Sequence, residues 1–256
     1  MPITIPSETE ADRTPPPQWE ASNGSGIDPV VPSARGHLVP LLTLFSATFP
    51  TGSFAYSHGL EAAVAERIVT DAKAVCDWLD VLLSRGSGWN DLVLTALAHR
   101  AVSRGDTVEL EELAALGTAL SGSAERRHET LALGAAYLVA ARPWTAGAEE
   151  MPFDEASKVP LPVAAGAVAA RASLPLGDCL VAYGHNFASA LVSAAVRLVP
   201  LGQSEWVTIL HDLTPAIVGN ASRAVHATLD DLGSAAIVSD IAAMRHETLR
   251  TRLFRS

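Results

Sequence analysis

Apolar residues recur at intervals of three and four along most of this chain, the spacing that places side chains on one face of an α-helix. Between residues 70 and 86 the spacing 0, 3, 4, 7, 8 is filled throughout, by Val75, Trp78, Leu79, Leu82 and Leu83. No segment alternates apolar and polar residues for long enough to make a convincing strand. Aromatic residues are only 5% of the chain while Ala, Leu and Val dominate, a mixture that favours closely packed helices. These patterns predict an all-α fold.

The 256 residues, 48% of them hydrophobic, suffice for one large buried core. Prolines and glycines divide residues 37–256 into about nine or ten helices, so we expect a single compact multi-helix domain there. Residues 1–36 contain Pro15, Pro16 and Pro17 in succession and hardly an apolar cluster. That composition predicts a disordered, Pro-rich N-terminal tail.

The uncharged apolar stretch at residues 38–61 predicts two short helices joined by a bend. The first helix should bury one face, formed by Leu38, Leu41, Leu42 and Phe45. Pro50 and Gly52 then stop it, and the helix that begins near Tyr56 should keep Glu61 in solvent.

Polar residues suggest where the later helices begin. Asp71 is expected to open the helix that ends at Gly86, and Asn90 to cap the next one. The helix from Ser123 to Arg142 has a polar first half that predicts surface ion pairs: Glu125, Arg126, Arg127, His128 and Glu129. Residues 143–162 contain four prolines and predict a long loop.

The formal net charge of −10 would repel phosphate backbones and anionic membranes, so neither nucleic acid nor a membrane is an expected partner. Cys76 and Cys179 stand far apart in predicted helices and give no disulfide framework, which suits a reducing compartment. No basic region followed by an apolar run opens the chain, so we expect a cytoplasmic location. Polar residues and Pro50 interrupt the most apolar segments, 38–60 and 179–196, which therefore read as buried core.

Sequence motifs for common catalytic sites are missing from the chain. It has no phosphate-binding loop, no nucleophile elbow and no pair of histidines at metal-ligand spacing. His185, on an otherwise apolar helix, is expected to be a hydrogen-bonded core residue. The chain therefore reads as a helical interaction protein, with two alternatives: a helical enzyme whose site combines His58 and His185 with dispersed carboxylates, or a plain helical dimerisation module.

The C-terminus concentrates arginines and large apolar groups in an otherwise acidic chain: Met244, Arg245, His246, Arg250, Arg252, Leu253, Phe254 and Arg255. Such a segment is either a solvated basic tail or a docking surface, because arginine beside bulky apolar residues is typical of binding hot spots. Phe54 follows the bend at Pro50 and is expected to point outward as a second anchor. We expect the C-terminal segment to fold back across an interface near residues 50–61.

Three separated motifs, in this order, resemble the urease accessory protein F (UreF) family over nearly everything after about residue 37. The first comprises Pro50, Gly52, Ser53, Phe54, Ser57, Gly59, Leu60 and Glu61. The second is the turn with Ala195, Val196, Arg197, Leu198, Pro200, Leu201, Gly202 and Gln203, and the third has Met244, His246, Glu247, Arg252, Leu253, Phe254 and Ser256. Arg127, Glu129, Thr130 and Gly134 match a further family pattern.

The resemblance implies an all-helical, non-catalytic homodimer that bridges a GTPase, accessory protein G, to accessory protein D (also called H), and so helps to load nickel into apo-urease. It implies no cofactor for this chain, since GTP is bound by the partner and nickel only passes through the complex. The residues it places at partner or dimer interfaces are Pro50, Gly52, Phe54, Tyr56, Ser57, Gly59, Glu61, Arg127, Glu129, Arg197, Pro200, Gly202, Gln203, Met244, His246, Glu247, Arg250, Arg252, Leu253 and Phe254. Pro160 and Ala190 replace a His and an Asn that many relatives carry.

Overall fold

The computed structural model describes residues 36–145, 153 and 158–256, and within them it contains ten α-helices and no strand. The helices are α1 Leu38–Leu44, α2 Leu60–Ala65, α3 Ala72–Arg85, α4 Ser87–Arg104, α5 Thr107–Ala119, α6 Ala124–Thr145, α7 Leu161–Arg171, α8 Leu176–Leu198, α9 Gln203–Ala224 and α10 Ile237–His246. The prediction of an all-α fold is confirmed. The predicted tail, up to residue 35, and most of the predicted loop at 143–162 lie outside the described residues.

The starts of α3 and α5 follow from acidic capping residues. The Asp71 carboxylate accepts a hydrogen bond from the Ala74 N–H at 2.9 Å, and Asp106 accepts one from the Glu109 N–H at 3.0 Å. Each carboxylate satisfies a backbone donor that the first helical turn leaves unpaired. The predicted capping role of Asp71 is confirmed.

The prediction that Asn90 caps α4 is wrong. Gly86 ends α3 and immediately precedes α4, which leaves Asn90 inside the first turns of the helix. Asn90 is buried there, and its side-chain oxygen accepts a hydrogen bond from the distant Gly233 N–H at 2.9 Å. A capping preference read from local sequence cannot show such a long-range partner.

Helix α8 lies at the centre of the fold and links two groups of buried side chains. Its first half, with Leu180 and Tyr183, packs with α4 and α7, and its second half, with Phe187 and Leu191, packs with α2, α3 and α9. Within the described part of the chain, α8 is the one helix long and apolar enough to cross a membrane. Because 61% of its apolar window is buried inside the protein, it has the character of a core helix.

Glycines allow α6 and α7 to pack very closely against their neighbours. A Cβ atom at Gly166 of α7 would lie 2.3 Å from the Thr95 carbonyl oxygen of α4, and one at Gly134 of α6 would lie 2.0 Å from the Val159 carbonyl oxygen. The Ala-rich α7 is therefore fitted directly between α4 and α6, and the close approach to α6 is near the middle of that helix, at Gly134.

Helix α1 buries a face different from the predicted one. Leu41 and Phe45 are buried as expected, but Leu42 is 71% exposed and Leu38 is 39% exposed. Leu44 takes the inward position instead. Helix α1 has only two turns, and α8 is the one described helix with which it makes substantial contacts. Leu38 and Leu42 therefore remain at the surface.

Candidate functional site

The segment between α1 and α2 is shaped by left-handed backbone conformations. Gly52 has a φ of 82°, Gly59 a φ of 78° and His58 a φ of 54°, and the Ser53–Ala55 segment between them forms one 3₁₀ turn. A Cβ at Gly59 would lie 2.5 Å from the backbone nitrogen of Ala243 in α10. Glycine is thus required at position 59 both for its backbone angle and for this close approach.

The C-terminal residues 247–256, here called the C-terminal strap, lie along that segment. The Arg255 N–H donates to the Ala55 carbonyl at 2.8 Å, and the Ser57 N–H donates to a backbone oxygen of Ser256 at 2.9 Å. The Phe254 ring is buried, with 4% of its surface exposed. The C-terminal strap and residues 50–61 therefore form one continuous structure within a single chain.

Glu61 is the main attachment point of the C-terminal strap. Its carboxylate accepts hydrogen bonds from the Leu253 N–H at 2.7 Å and the Phe254 N–H at 2.9 Å, and it contacts Nε2 of His246 at 3.1 Å. Burial works to raise the pKa of Glu61, but these three partners outweigh it and the pKa is lowered. The prediction that Glu61 stays in solvent is wrong, because a backbone almost two hundred residues away in sequence covers it.

His246 joins α10 to α2 and α6. Its side chain is fully buried, with Nδ1 2.6 Å from a Glu125 oxygen and Nε2 3.1 Å from a Glu61 oxygen. Arg252 of the C-terminal strap bonds the other oxygen of Glu125. Glu247 accepts the Ala124 N–H at 2.7 Å, which caps the start of α6.

Glu129 lies beneath this attachment and is 1% exposed. It contacts Nε2 of His58 at 2.6 Å, pairs with Arg126, and accepts the Ser256 hydroxyl at 2.5 Å. Burial opposes its charge, but Arg126 and His58 lower its pKa to about 2. Burial and Arg126 lower the pKa of His58, so a neutral imidazole donates its Nε2 proton to Glu129.

The prediction that the polar half of α6 forms surface ion pairs is therefore wrong for Arg126 and Glu129 and for the contact of Glu125 with buried His246, whereas the Glu125–Arg252 pair does lie at the surface. Only Arg127 and His128 of that group are exposed. Together, His58, Glu61, Glu125, Arg126, Glu129, His246 and Arg252 constitute what we call the charge network. Charges buried in this way persist only when they are paired.

Two cavities, of about 190 Å³ and about 50 Å³, flank the charge network and share His58, Asp91, Arg126 and Thr130 in their walls. Burial raises the pKa of Asp91 to about 6, and the Tyr183 hydroxyl donates to its carboxylate at 3.0 Å. Nδ1 of His58 is buried without a hydrogen-bond partner. The larger cavity has room for several waters and is lined by groups that would bind them.

Sequence reasoning missed Asp91 and Tyr183 as site residues. Their only signal is polarity on helices that are otherwise apolar, which does not show that they meet. Ala190, one of the two departures from the family pattern, lines the smaller cavity, whereas Pro160 caps the start of α7.

Outside the charge network lies an exposed surface that we call the Phe54 patch: Phe54, Arg197, Leu253 and Arg255. Phe54 is 75% exposed and Leu253 is 60% exposed. Nη2 of Arg197 donates to the Phe54 carbonyl at 3.1 Å, and its guanidinium lies over the Phe254 ring, 4.2 Å from the centroid. Buried Phe254 thus fixes Arg197 beside an aromatic side chain that points outward.

The remaining residues expected at interfaces occupy varied positions. Tyr56 and Ser57 are buried, whereas Pro50, Arg127, Met244, Glu247 and Arg250 are exposed. Pro200, Gly202 and Gln203 form the exposed connection from α8 to the start of α9. The structure therefore gathers the first and third motifs at one place and sets the second beside them through Arg197.

The proposed histidine pair of a helical enzyme does not meet in one site. His58 lines the cavities beside the charge network, whereas His185 is exposed and lines a separate groove with Leu38 and Leu42. The prediction that His185 is a core residue is wrong. Among the described residues, no three His, Cys, Asp or Glu side chains are grouped to hold a metal ion.

Comparison with known proteins gives consistent matches. The UreF family profile matches residues 69–214. The urease accessory protein UreF of Agrobacterium fabrum is 48% identical over 219 residues, covering 86% of this chain and 96% of the relative. Those of Rhizobium etli and Brucella ovis are 46% identical over 220 residues and 44% identical over 231 residues. These alignments cover 86% and 90% of this chain, and 96% and 99% of the relatives.

Proposed function

The chain belongs to the UreF family of urease accessory proteins, and we propose that it is a non-catalytic, dimeric scaffold in urease maturation. In this role it recruits the GTPase, accessory protein G, and couples it to accessory protein D/H for nickel insertion into apo-urease. GTP is held by the partner, and nickel is cargo rather than a resident cofactor.

The observation that carries the proposal is the Phe54 patch. An exposed aromatic ring and an exposed leucine stand beside arginines on a protein whose formal net charge is −10. Arginine and aromatic residues dominate the energetics of protein interfaces, and local positive charge favours an acidic partner surface. The charge network beneath the patch holds it rigid, which reduces the entropy lost on binding.

We place the dimer and partner contacts on the same two segments, residues 50–61 and 244–256. The C-terminal strap and the 50–61 segment support each other within one chain. Binding of a partner to one of them therefore also affects the other. A scaffold that couples two proteins needs such a shared surface. Met244, 50% exposed on α10, extends it beyond the patch.

The two cavities beside the charge network support a passage for nickel through the protein. Asp91, Glu129 and His58 offer oxygen and nitrogen donors in their walls, which suit a divalent cation in transit. An Asp91→Asn change removes one of these donors and leaves the residues of the Phe54 patch unaltered. It therefore tests the passage of nickel separately from partner docking.

The test is co-purification of the tagged full-length chain with accessory proteins G and D/H, with and without nickel and GTP. Leu253→Ala is compared with Leu229→Ala, because both leucines are more than half exposed but Leu229 lies in a 3₁₀ turn after α9. We expect Leu253→Ala to reduce capture about tenfold or more and Leu229→Ala to leave it unchanged. Equal capture by both variants contradicts the assignment of the patch.

Two other results would replace the proposal. Catalytic turnover by the purified chain alone would favour the helical enzyme. Capture of neither accessory protein, with a normal dimer, would leave a plain dimerisation module.

A further inference from the structure

The imidazole ring of His58 is hydrogen-bonded at one nitrogen only. Its Nε2 atom lies 2.6 Å from a carboxylate oxygen of Glu129, whereas Nδ1 is buried without a hydrogen-bond partner. Because the neutral ring gives its Nε2 proton to Glu129, Nδ1 carries the lone pair. A buried acceptor without a partner costs free energy, so a group that binds at Nδ1 supplies a contact that the chain itself lacks.

The contact between His58 and Glu129 is of the kind that orients histidine ligands of metal ions in proteins. A ligating histidine almost always donates its other ring N–H to a carboxylate, a carbonyl or a water, which fixes the tautomer and makes the ligating nitrogen more basic. Glu129 takes this place beside His58, and it is held in turn by Arg126 and by the Ser256 hydroxyl. The charge network therefore prepares Nδ1 of His58 to bind a metal ion.

Asp91 offers a second ligand in the same space. His58 and Asp91 both line the cavity of about 190 Å³ and the cavity of about 50 Å³. The Tyr183 hydroxyl donates to Oδ2 of Asp91 at 3.0 Å and so positions the carboxylate. Two protein ligands leave the other coordination positions to water, and the larger cavity has room for several water molecules.

The larger cavity is also reachable and suited to a cation. Its walls include the exposed residues Gly122 and Met244, so it extends from the surface to His58. Arg126 brings a positive charge to the wall, but Glu129 pairs with that charge. A further carboxylate, Asp240, lines the same space. Carboxylates in a cleft raise the local concentration of cations.

We propose that Nδ1 of His58 and the carboxylate of Asp91 bind one divalent transition-metal ion within this chain, with water at the remaining positions. The inference deepens the proposed function and rests on it for the identity of the ion, which is nickel in transit. First-row transition-metal ions accept imidazole nitrogen, whereas Mg²⁺ takes oxygen ligands. Glu129 is a positioning residue, because it acts on the ion only through the His58 ring.

Isothermal titration calorimetry of Ni²⁺ into the purified, untagged full-length chain tests the site without any partner. His58→Gln is the informative variant, because a glutamine amide can still donate to Glu129 but has no lone-pair nitrogen in place of Nδ1. We expect His58→Gln and Asp91→Asn each to weaken nickel binding at least about tenfold. His185→Gln, on the exposed side of α8, is the matched control and should bind as wild type does. An excess of Mg²⁺ should not compete.

Nuclear magnetic resonance of the histidine rings gives a second readout, which needs no variant. In long-range ¹H–¹⁵N spectra of wild type, the His58 ring should show the neutral tautomer protonated at Nε2. Substoichiometric Ni²⁺, which is paramagnetic, should broaden the His58 signals before those of the exposed His185 and His211. This measurement decides alone if His58→Gln fails to fold, as judged by circular dichroism.

Equal nickel affinity in wild type and His58→Gln overturns the site, as does broadening confined to the exposed histidines, since either result leaves adventitious surface binding only. Competition by Mg²⁺ overturns the assignment of a nitrogen ligand. Failure of the proposed function is recognised separately, because it would appear as equal capture by Leu253→Ala and Leu229→Ala. Nickel binding that depends on His58 would then uphold the site and remove only its connection with urease.

Discussion

Replacing Glu129 with glutamine removes the charge at the centre of the charge network while keeping the side chain's size. The variant leaves Arg126 with a buried positive charge that has lost its directly paired carboxylate, so that Asp91 is the acidic group that still acts on it. It also replaces the acceptor for Nε2 of His58 and for the Ser256 hydroxyl with a weaker, neutral one. We expect a folded but clearly less stable protein.

Two independent arguments give the magnitude. The difference between the ordinary glutamate pKa of 4.5 and a pKa of about 2 corresponds to about 3 kcal/mol of stabilisation of the charged form. Removing one partner of a buried ion pair typically costs about 3–5 kcal/mol, because the remaining charge is left uncompensated. Both arguments predict a loss of about 3 kcal/mol in the free energy of unfolding at neutral pH.

The sign of the pH dependence follows from the lowered pKa. Because the native state holds Glu129 ionised, its contribution is fully present above about pH 4.5 and is lost as the pH falls toward about 2. The Glu129→Gln variant lacks this titrating group. Its stability should therefore fall less steeply than that of wild type over this range.

Urea unfolding followed by circular dichroism measures the effect at neutral pH and at several acidic values. Glu111→Gln is the matched control, because Glu111 lies exposed on α5 and the same change there should alter stability by less than about 0.5 kcal/mol. A loss of less than about 1 kcal/mol for Glu129→Gln would refute the view that the buried network stabilises the fold.

Three further predictions concern docking. Phe54→Ala should leave helical content unchanged, since Phe54 is 75% exposed, and should weaken self-association or GTPase capture by about 2–4 kcal/mol. If sedimentation shows an unchanged dimer and GTPase capture is also unchanged, Phe54 has no role in binding. Arg252→Ala removes the bond to Glu125 and should reduce dimerisation and capture of accessory protein G, and lysine should substitute poorly for the planar guanidinium. Light scattering measures the dimer and pull-down measures capture; a normal dimer with normal capture contradicts this prediction. Deletion of residues 1–36 should leave the fold and complex formation intact, and a more than tenfold loss of partner binding would disprove that expectation.

The helices could be predicted because apolar spacing and capping residues are local properties of the sequence. Asp71 marks the start of α3 through a contact three residues away, and the spacing of its apolar residues identifies the face that α3 buries. The short α1 was harder, because two helical turns can rotate to suit a neighbour without breaking the pattern. Its buried face therefore depends on α8, which the sequence of α1 does not show.

The polar part of the site could not be predicted in the same way. Glu61 and Glu129 are buried by the C-terminal strap, which reaches them from 192 and 127 residues away in sequence. A carboxylate looks solvent-exposed until the group that covers it is known. The family motifs include both residues, but only the tertiary structure shows that they belong to one network.

We propose that this chain is needed to place nickel in urease and does no catalysis itself. The most direct measurement is the nickel content and activity of urease purified from cells that supply apo-urease and all other accessory proteins, with and without this chain. We expect nickel-poor, inactive urease without the chain and restored nickel content and activity with wild type. Full nickel loading without the chain would contradict it.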